Sequence, residues 1–236
     1  GNASHRKNST TCTLTRTKLT TSQSRSSINQ SLRSFATPQR DLAVKIRDVG
    51  FLPEDDLHLL AKDSTPYDVG HDESKYDLET VLVAAEDASS LKPGKTKSLV
   101  ERLSDKNRAV RYWAALGLFM RGKSGLKAGH DELTAALKDE SPSVRVIAAQ
   151  VLAQFGSDAD NTISLDVLLK HASLDTNSIY VAMLALNALD ELDGRAASVI
   201  EQIKNLPTKS KVDYPRMGAY IPNLKTKTLA DLQASR

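Results

Sequence analysis

Residues 99–122, LVERLSDKNRAVRYWAALGLFMRG, and residues 133–156, LTAALKDESPSVRVIAAQVLAQFG, are two copies of one pattern that begin 34 residues apart. The positions that match include Leu103, Asp105, Val110, Arg111, Ala114, Leu118 and Gly122 in the first copy and Leu137, Asp139, Val144, Arg145, Ala148, Leu152 and Gly156 in the second. A weaker third copy keeps Ala182 and Leu186 at the same spacing. A fixed period of this size predicts a stack of helical repeats.

Each copy predicts a pair of helices. In the second copy, Ser141 and Pro142 favour a helix start, with the serine hydroxyl as a cap, and Gly156 favours its end. Shorter apolar helices precede the long ones and are expected at residues 99–103, 133–137 and 165–169. A single pair cannot bury its apolar stripe, so neighbouring pairs are expected to stack, with Ala114, Ala148 and Ala182 at close contacts.

Two families of helical repeats have repeat units of a length comparable to this period. Tetratricopeptide repeats share the 34-residue period, but the Trp, Gly and Tyr signature of their first helix is missing here. The Asp-x4-Val-Arg pattern of Asp105, Val110 and Arg111 resembles HEAT repeats, in the short form of phycobilisome-lyase-like arrays. The repeats and this resemblance predict an all-α fold, a short α-solenoid of HEAT-like helix pairs. The composition at the two ends of the sequence adds a disordered N-terminal arm and an extended proline-containing tail.

The predicted organisation has four parts, at residues 1–37, 38–92, 93–206 and 207–236. The first is a basic arm rich in Ser and Thr, which is expected to be disordered because it has few large apolar side chains. A basic arm could contact an anionic polymer or a membrane, or have no role. The second is a helical lead-in, the third contains the repeats, and the fourth is a tail.

The lead-in and the tail have their own predicted elements. A helix is expected over 41–49, followed by a helix with Leu57, Leu60 and Ala61 inward, a loop over 65–73, and a helix over 78–91. The apolar stripe of the last helix is formed by Leu78, Val81, Leu82, Ala85 and Ala88. Prolines at 207, 215 and 222 predict an extended run over 207–224, anchored by Tyr214, Met217, Tyr220 and Ile221, before a short helix over 225–232.

The charge and composition of the sequence exclude several classes of protein and of site. Residues 1–40 contain seven basic and no acidic side chains, which leaves 25 basic and 29 acidic side chains in the remainder. The predicted folded part is therefore mildly acidic and offers no basic stripe for nucleic acid. No apolar run is long enough to span a membrane. The lone Cys12 excludes an internal disulfide and a multi-cysteine metal site.

Three segments resemble the C-terminal part of bacterial sulfatases of the heparan N-sulfatase-like group. They are IRDVGFLPED at 46–55, STPYDVGHD at 64–72 and AVRYWAALGL at 109–118. The resemblance implies a parent enzyme, exported or periplasmic, that hydrolyses sulfate esters or sulfamates with a calcium ion and a formylglycine. The formylglycine arises from a Cys/Ser-x-Pro-x-Arg motif in an upstream catalytic domain, which this chain does not contain.

No catalytic, cofactor-binding or metal-binding residue is predicted in the chain itself. Cys12 and Arg16 have the spacing of the sulfatase motif, but Leu14 replaces its proline, so Cys12 is interpreted as an ordinary thiol. A second candidate, the cluster of Asp68, His71, Asp72 and Glu73 with His58, could bind a cation or could be a turn whose carboxylates cap a helix.

Arg111 and Arg145 occupy equivalent repeat positions and have two possible roles. They could form a ladder that grips an acidic partner, or they could bond to Asp105, Asp139 or nearby carbonyls between repeats. His130 and His171 are interpreted as ordinary surface histidines.

Three functional hypotheses follow. The first is a non-catalytic repeat module that packs on a sulfatase catalytic domain or helps to position its substrate. The second is a free-standing adaptor that binds another protein on its concave face. The third, a helical-repeat DNA glycosylase or a lyase-like protein, would need a basic groove, and the acidic balance after residue 40 argues against it.

Overall fold

The computed structural model describes residues 38–212 and 216–234, and every regular element within these ranges is a helix. The chain divides into two units, residues 1–46 and 47–236. In the first unit the described residues form one helix, α1 (38–46). The arm predicted for residues 1–37, which includes Cys12, lies outside the described residues.

The second unit is a short α-solenoid, as the repeat pattern predicted. Its α-helices are α2 (Glu54–Leu60), α3 (Pro66–His71), α4 (Leu78–Ser89), α5 (Thr96–Arg102), α6 (Arg108–Met120), α7 (Lys123–Ala136), α8 (Pro142–Phe155), α9 (Asp158–Ala172), α10 (Ile179–Glu191), α11 (Ile200–Asn205) and α12 (Tyr220–Ala234). Short 3-10 turns are found at Val49–Phe51, Pro93–Lys95 and Asp193–Val199. The repeat pairs are α5 with α6, α7 with α8, and α9 with α10.

Helix α8 is the centre of the core. One of its faces belongs to an apolar cluster with α5, α6 and α7, and the opposite face belongs to a second cluster that continues through α9 and α10 to α12. Ala114, Ala148 and Ala182 are completely buried, which allows the long helices to approach closely. Gly122 has φ +59 between α6 and α7, a left-handed conformation that favours glycine.

The start of α8 differs from its prediction in one detail. Pro142 occupies the first turn, as expected, but the hydroxyl of Ser141 makes no cap and is buried without a partner within the described part of the chain. Instead the backbone N–H of Ser141 donates to the carboxylate of Asp139 at 2.8 Å. The aspartate of the preceding turn therefore binds the N–H of the cap residue itself.

The lead-in contains both confirmed and wrong predictions. Helix α4 buries the whole predicted stripe, so that prediction is confirmed. The helix expected at 41–49 ends at 46, and Arg47 follows it with φ +55. The loop expected over 65–73 contains α3, because Thr65 and Asp68 form a capping box that supports a short helix. In α2 the expected inward residues are only half-buried, and Asp56 is the buried one.

The tail prediction was wrong about Pro222. Helix α12 begins at Tyr220, so Pro222 lies in its first turn, where a missing N–H breaks no helical hydrogen bond. Ile221 is buried as expected and Met217 packs against the core, whereas Tyr220 is exposed. Tyr214 lies outside the described residues. No helix in 38–212 or 216–234 has the length and apolar character required to cross a bilayer.

Candidate protein-interaction surface

The long second helices of the three pairs pack side by side in the order α6, α8, α10. Helix α8 is buried almost throughout, whereas α6 and α10 keep one incompletely buried row each. We call these rows the second-helix surface, which consists of Tyr112, Leu116, Phe119, Met120, Tyr180, Met183, Leu184, Asn187, Asp190 and Glu191. It is mainly apolar on α6 and becomes polar towards the end of α10.

Arg111 joins the first pair to the second. Its Nε and Nη2 donate to the two carboxylate oxygens of Asp139 at 2.7 and 2.9 Å, and Nη2 also reaches Glu140. Its Nη1 donates to the carbonyl oxygens of Asp105 and Lys106. Hydrogen bonding to Asp139 raises the pKa of Arg111. All five N–H donors of this buried guanidinium are used, so none is available to a partner.

Arg145, the equivalent residue in the next repeat, makes different contacts. Its Nη1 donates to the carbonyl of Asp139 at 2.6 Å, and its Nε donates to Nε2 of His171 at 2.9 Å. The position 34 residues after Asp139 is Ser173, so the equivalent position of the next repeat has no aspartate. His171 takes its place as the acceptor.

His171 is buried, so the interpretation of this residue as a surface histidine was wrong. Its Nδ1 lies 2.7 Å from the carbonyl of Val167, which can only accept, and its Nε2 accepts from Arg145. The ring is therefore neutral, with its proton on Nδ1. Burial lowers the pKa of His171, and the nearby charge of Arg145 acts in the same direction.

Helix α2 covers the beginning of the second-helix surface. Arg108 of α6 donates to Asp56, Ser178 at the start of α10 donates to Asp55, and the ring of His58 stacks on Tyr180 at 4.3 Å. Burial raises the pKa of Asp56, the fully buried member of this set. The open part of the surface therefore begins after the first turns of α6 and α10.

The acidic cluster near α3 has local partners. Asp68 accepts hydrogen bonds from Thr65, and Asp72 accepts them from Ser74, which lowers the pKa of each carboxyl. His71 stacks on Tyr67, with ring centres 4.0 Å apart. In the part of the chain that the structure describes, no three His, Cys, Asp or Glu side chains are grouped to hold a metal ion.

His130 connects α7 to α9 at the solvent. Its Nε2 lies 3.0 Å from a carboxylate oxygen of Asp160, and Nδ1 lies 3.4 Å from Asp131. The hydrogen bond with Asp160 raises the pKa of His130. The contact belongs to the first helices of the repeats and not to the second-helix surface.

A cleft of about 560 Å³ opens between α10 and α12, and we call it the end cleft. Its lining residues are Met183, Asn187, Ala219, Tyr220, Asn223, Leu224 and Lys227. The ammonium of Lys227 contacts Asp190 and Asp231, and these hydrogen bonds raise its pKa. Sequence reasoning missed this cleft, because the proline pattern predicted an extended chain where α12 begins.

Comparison with known protein families agrees with the helix pairs. Residues 96–190 match the family model described as HEAT repeats, and this range runs from the first residue of α5 almost to the end of α10. No curated protein, sulfatase or other, matches the chain. The three helix pairs, over residues 96–190, are therefore similar in sequence to HEAT repeats.

Proposed function

We propose that this chain is a non-catalytic module that binds another protein through the open part of the second-helix surface. The main observation in support is the open row on α10, which leads from Met183 and Leu184 past Asn187 along the end cleft. Stacked repeats commonly present an extended surface of this kind to a partner. The HEAT repeats over residues 96–190 support the same role.

The polar contacts limit where a partner binds. The guanidinium of Arg111 is saturated by Asp139, Glu140 and two carbonyls, so it serves the packing of repeats. Helix α2 occupies the first turns of α6 and α10. Binding is therefore assigned to the remaining residues, from Leu116 to Met120 on α6 and from Met183 to Glu191 on α10.

Photo-crosslinking tests this proposal directly. A photoreactive amino acid is placed at Met120 or Asn187, which are exposed on α6 and α10, and at Thr162, which is exposed on α9, as the control. We expect the same protein to be crosslinked from 120 and 187 and not from 162. Equal crosslinking from all three positions, or none from the first two in the cells of origin, would contradict the proposal.

We also propose, from the sequence resemblance, that the module belongs to a sulfatase-type parent and packs on its catalytic domain. In support, the first of the three segments that carry the resemblance contacts both of the others. Arg47 donates to the carbonyl of Gly70 at 2.7 Å, and Nε1 of Trp113 donates to the carbonyl of Phe51 at 2.8 Å. Segments that pack together in the fold are expected to occur together in related proteins.

Two measurements test this parentage. An open reading frame with a Cys/Ser-x-Pro-x-Arg segment, upstream and in frame, distinguishes a sulfatase module from a free-standing adaptor. The chain alone is expected to release no 4-methylumbelliferone from its sulfate ester. Hydrolysis above that of the buffer would overturn the non-catalytic assignment.

A further inference from the structure

The last repeat departs from the repeat pattern where the end cleft opens. Ala115 and Ala149 are equivalent positions of the first two copies, both completely buried, and the third copy has Met183 there. One turn later, buried Ala153 of α8 is replaced by exposed Asn187 of α10. Larger side chains therefore stand at two positions that hold buried alanines in the second copy, and α12 leaves a gap beside them.

The far wall of the cleft is one face of α12. Asn223 and Leu224 lie three and four residues after Tyr220, and Lys227 lies four and three residues after them, so all four are on the same side of the helix. The volume of about 560 Å³ falls within the usual range for ligand pockets. With Met183 and Leu224 as apolar lining, the cleft fits one large apolar side chain together with its backbone.

Two carboxamides lie in the lining with unused hydrogen-bonding capacity. The side chains of Asn187 and Asn223 are exposed, and neither has a hydrogen-bond partner within the described part of the chain. A carboxamide offers donors and an acceptor in one group. A peptide bond requires both, so two carboxamides on opposite walls suit an extended backbone that runs between them.

The charges near the cleft favour a basic neighbour to the apolar side chain. Among the described residues that line the cleft only Lys227 is charged, and it already contacts Asp190 and Asp231. Glu191 lies one turn beyond Asn187 on α10, is exposed, and accepts its hydrogen bond from the neutral amide of Gln150. Its negative charge is therefore not neutralised by that contact.

We propose that the end cleft binds an extended peptide segment of the partner. The segment places one large apolar side chain between Met183 and Leu224, bonds its backbone to Asn187 and Asn223, and directs an adjacent basic side chain to Glu191. This inference rests on the proposed function and specifies the recognition element.

The experiment is a selection of random heptapeptides displayed on phage against the whole chain. The enriched sequences are expected to combine a large apolar residue with Lys or Arg. The best peptide is then synthesised with a fluorophore, and its affinity is measured by fluorescence polarisation.

The Asn187→Ala variant is expected to bind this peptide about fivefold more weakly, which is the effect of losing one typical hydrogen bond. Glu191→Gln is expected to weaken it and to reduce its salt dependence. Thr162→Ala on α9 is the matched exposed control and should bind as the wild type does.

Several outcomes would overturn the proposal. These are an absence of enriched peptides, enrichment of acidic peptides, or equal affinity of the wild type and Asn187→Ala. A dimer, measured by light scattering, that Asn187→Arg dissociates would show that a second copy fills the cleft instead. If one of these outcomes is found and crosslinking from positions 120 and 187 nevertheless captures a partner, the cleft proposal fails while the proposed function stands.

Discussion

Replacement of Arg111 with methionine tests how the repeats are joined. The variant retains much of the side-chain volume but removes every hydrogen bond to Asp139. The Arg111 and Asp139 side chains are only 9% and 8% exposed, so the buried carboxylate would lose the guanidinium that bonds both of its oxygens. Breaking a buried pair from one side costs about 3–5 kcal/mol.

The assay is urea unfolding followed by circular dichroism. A loss of about 4 kcal/mol, with an m value of about 2 kcal/mol/M, lowers the midpoint by about 2 M. The melting temperature should fall by about 10 °C. Lys97→Met is the matched control, because Lys97 and Glu101 form an exposed pair at 3.8 Å. Such pairs contribute about 0–1 kcal/mol, so this control should unfold nearly as the wild type does.

A double-mutant cycle separates the ion pair from the packing of Arg111. Asp139→Asn keeps an oxygen that can accept from the backbone of Ser141 while it removes the charge. The double variant should therefore be more stable than the sum of the two single losses predicts, by at least about 1 kcal/mol. A loss below about 1 kcal/mol for Arg111→Met, or a coupling energy near zero, would refute the reasoning.

Three further changes have defined outcomes. Gly125→Ala would place a Cβ 2.1 Å from a backbone carbonyl oxygen of α6 and should destabilise by about 1–3 kcal/mol in urea unfolding, whereas Gly94→Ala, with no atom within 4 Å of its Cβ, should not. Burial lowers the pKa of His171, so as the pH falls the unfolded chain takes up the proton before the folded protein does. The free energy of unfolding should therefore decrease as the pH falls below about 6.5, by at most about 1.4 kcal/mol per pH unit, until the folded-state pKa is reached. The His171→Gln variant should lose less stability than the wild type between pH 7.5 and 5.5. If both proteins show the same dependence of stability on pH, a contribution from His171 is excluded. Trp113→Phe removes the N–H that donates to the carbonyl of Phe51 and should cost about 1 kcal/mol or more, measured by circular dichroism; no change in stability would argue that this contact is dispensable.

The fold class was accessible from the sequence because it depends on local periodicity. Apolar residues at helical spacing, glycines after the long helices and a 34-residue period specify helix pairs, and pairs of this kind must stack to bury their apolar faces. The stripe of α4 followed from the same rule. Pro222 was misjudged because a proline ends a helix or opens one according to its position, and burial of Ile221 decides that position.

The candidate surface was less accessible, since it depends on which side chains meet across the chain. Asp56 and His171 have no periodic signal that predicts burial, and each is buried through contacts with residues many positions away. The end cleft left one trace in the sequence. Met183 and Asn187 interrupt positions that hold alanine in the copy before them, although a single interruption does not reveal which helix lies opposite.

By itself, the sequence determined that this protein is a short stack of HEAT-like helix pairs, because the free energy of burying a repeated apolar stripe has one simple solution. Only the tertiary structure decided which part of the stack is open. The covering of the first turns by α2 and the cleft beside α12 arise from contacts between residues far apart in the chain, and a repeat pattern contains no information about partners at such distances.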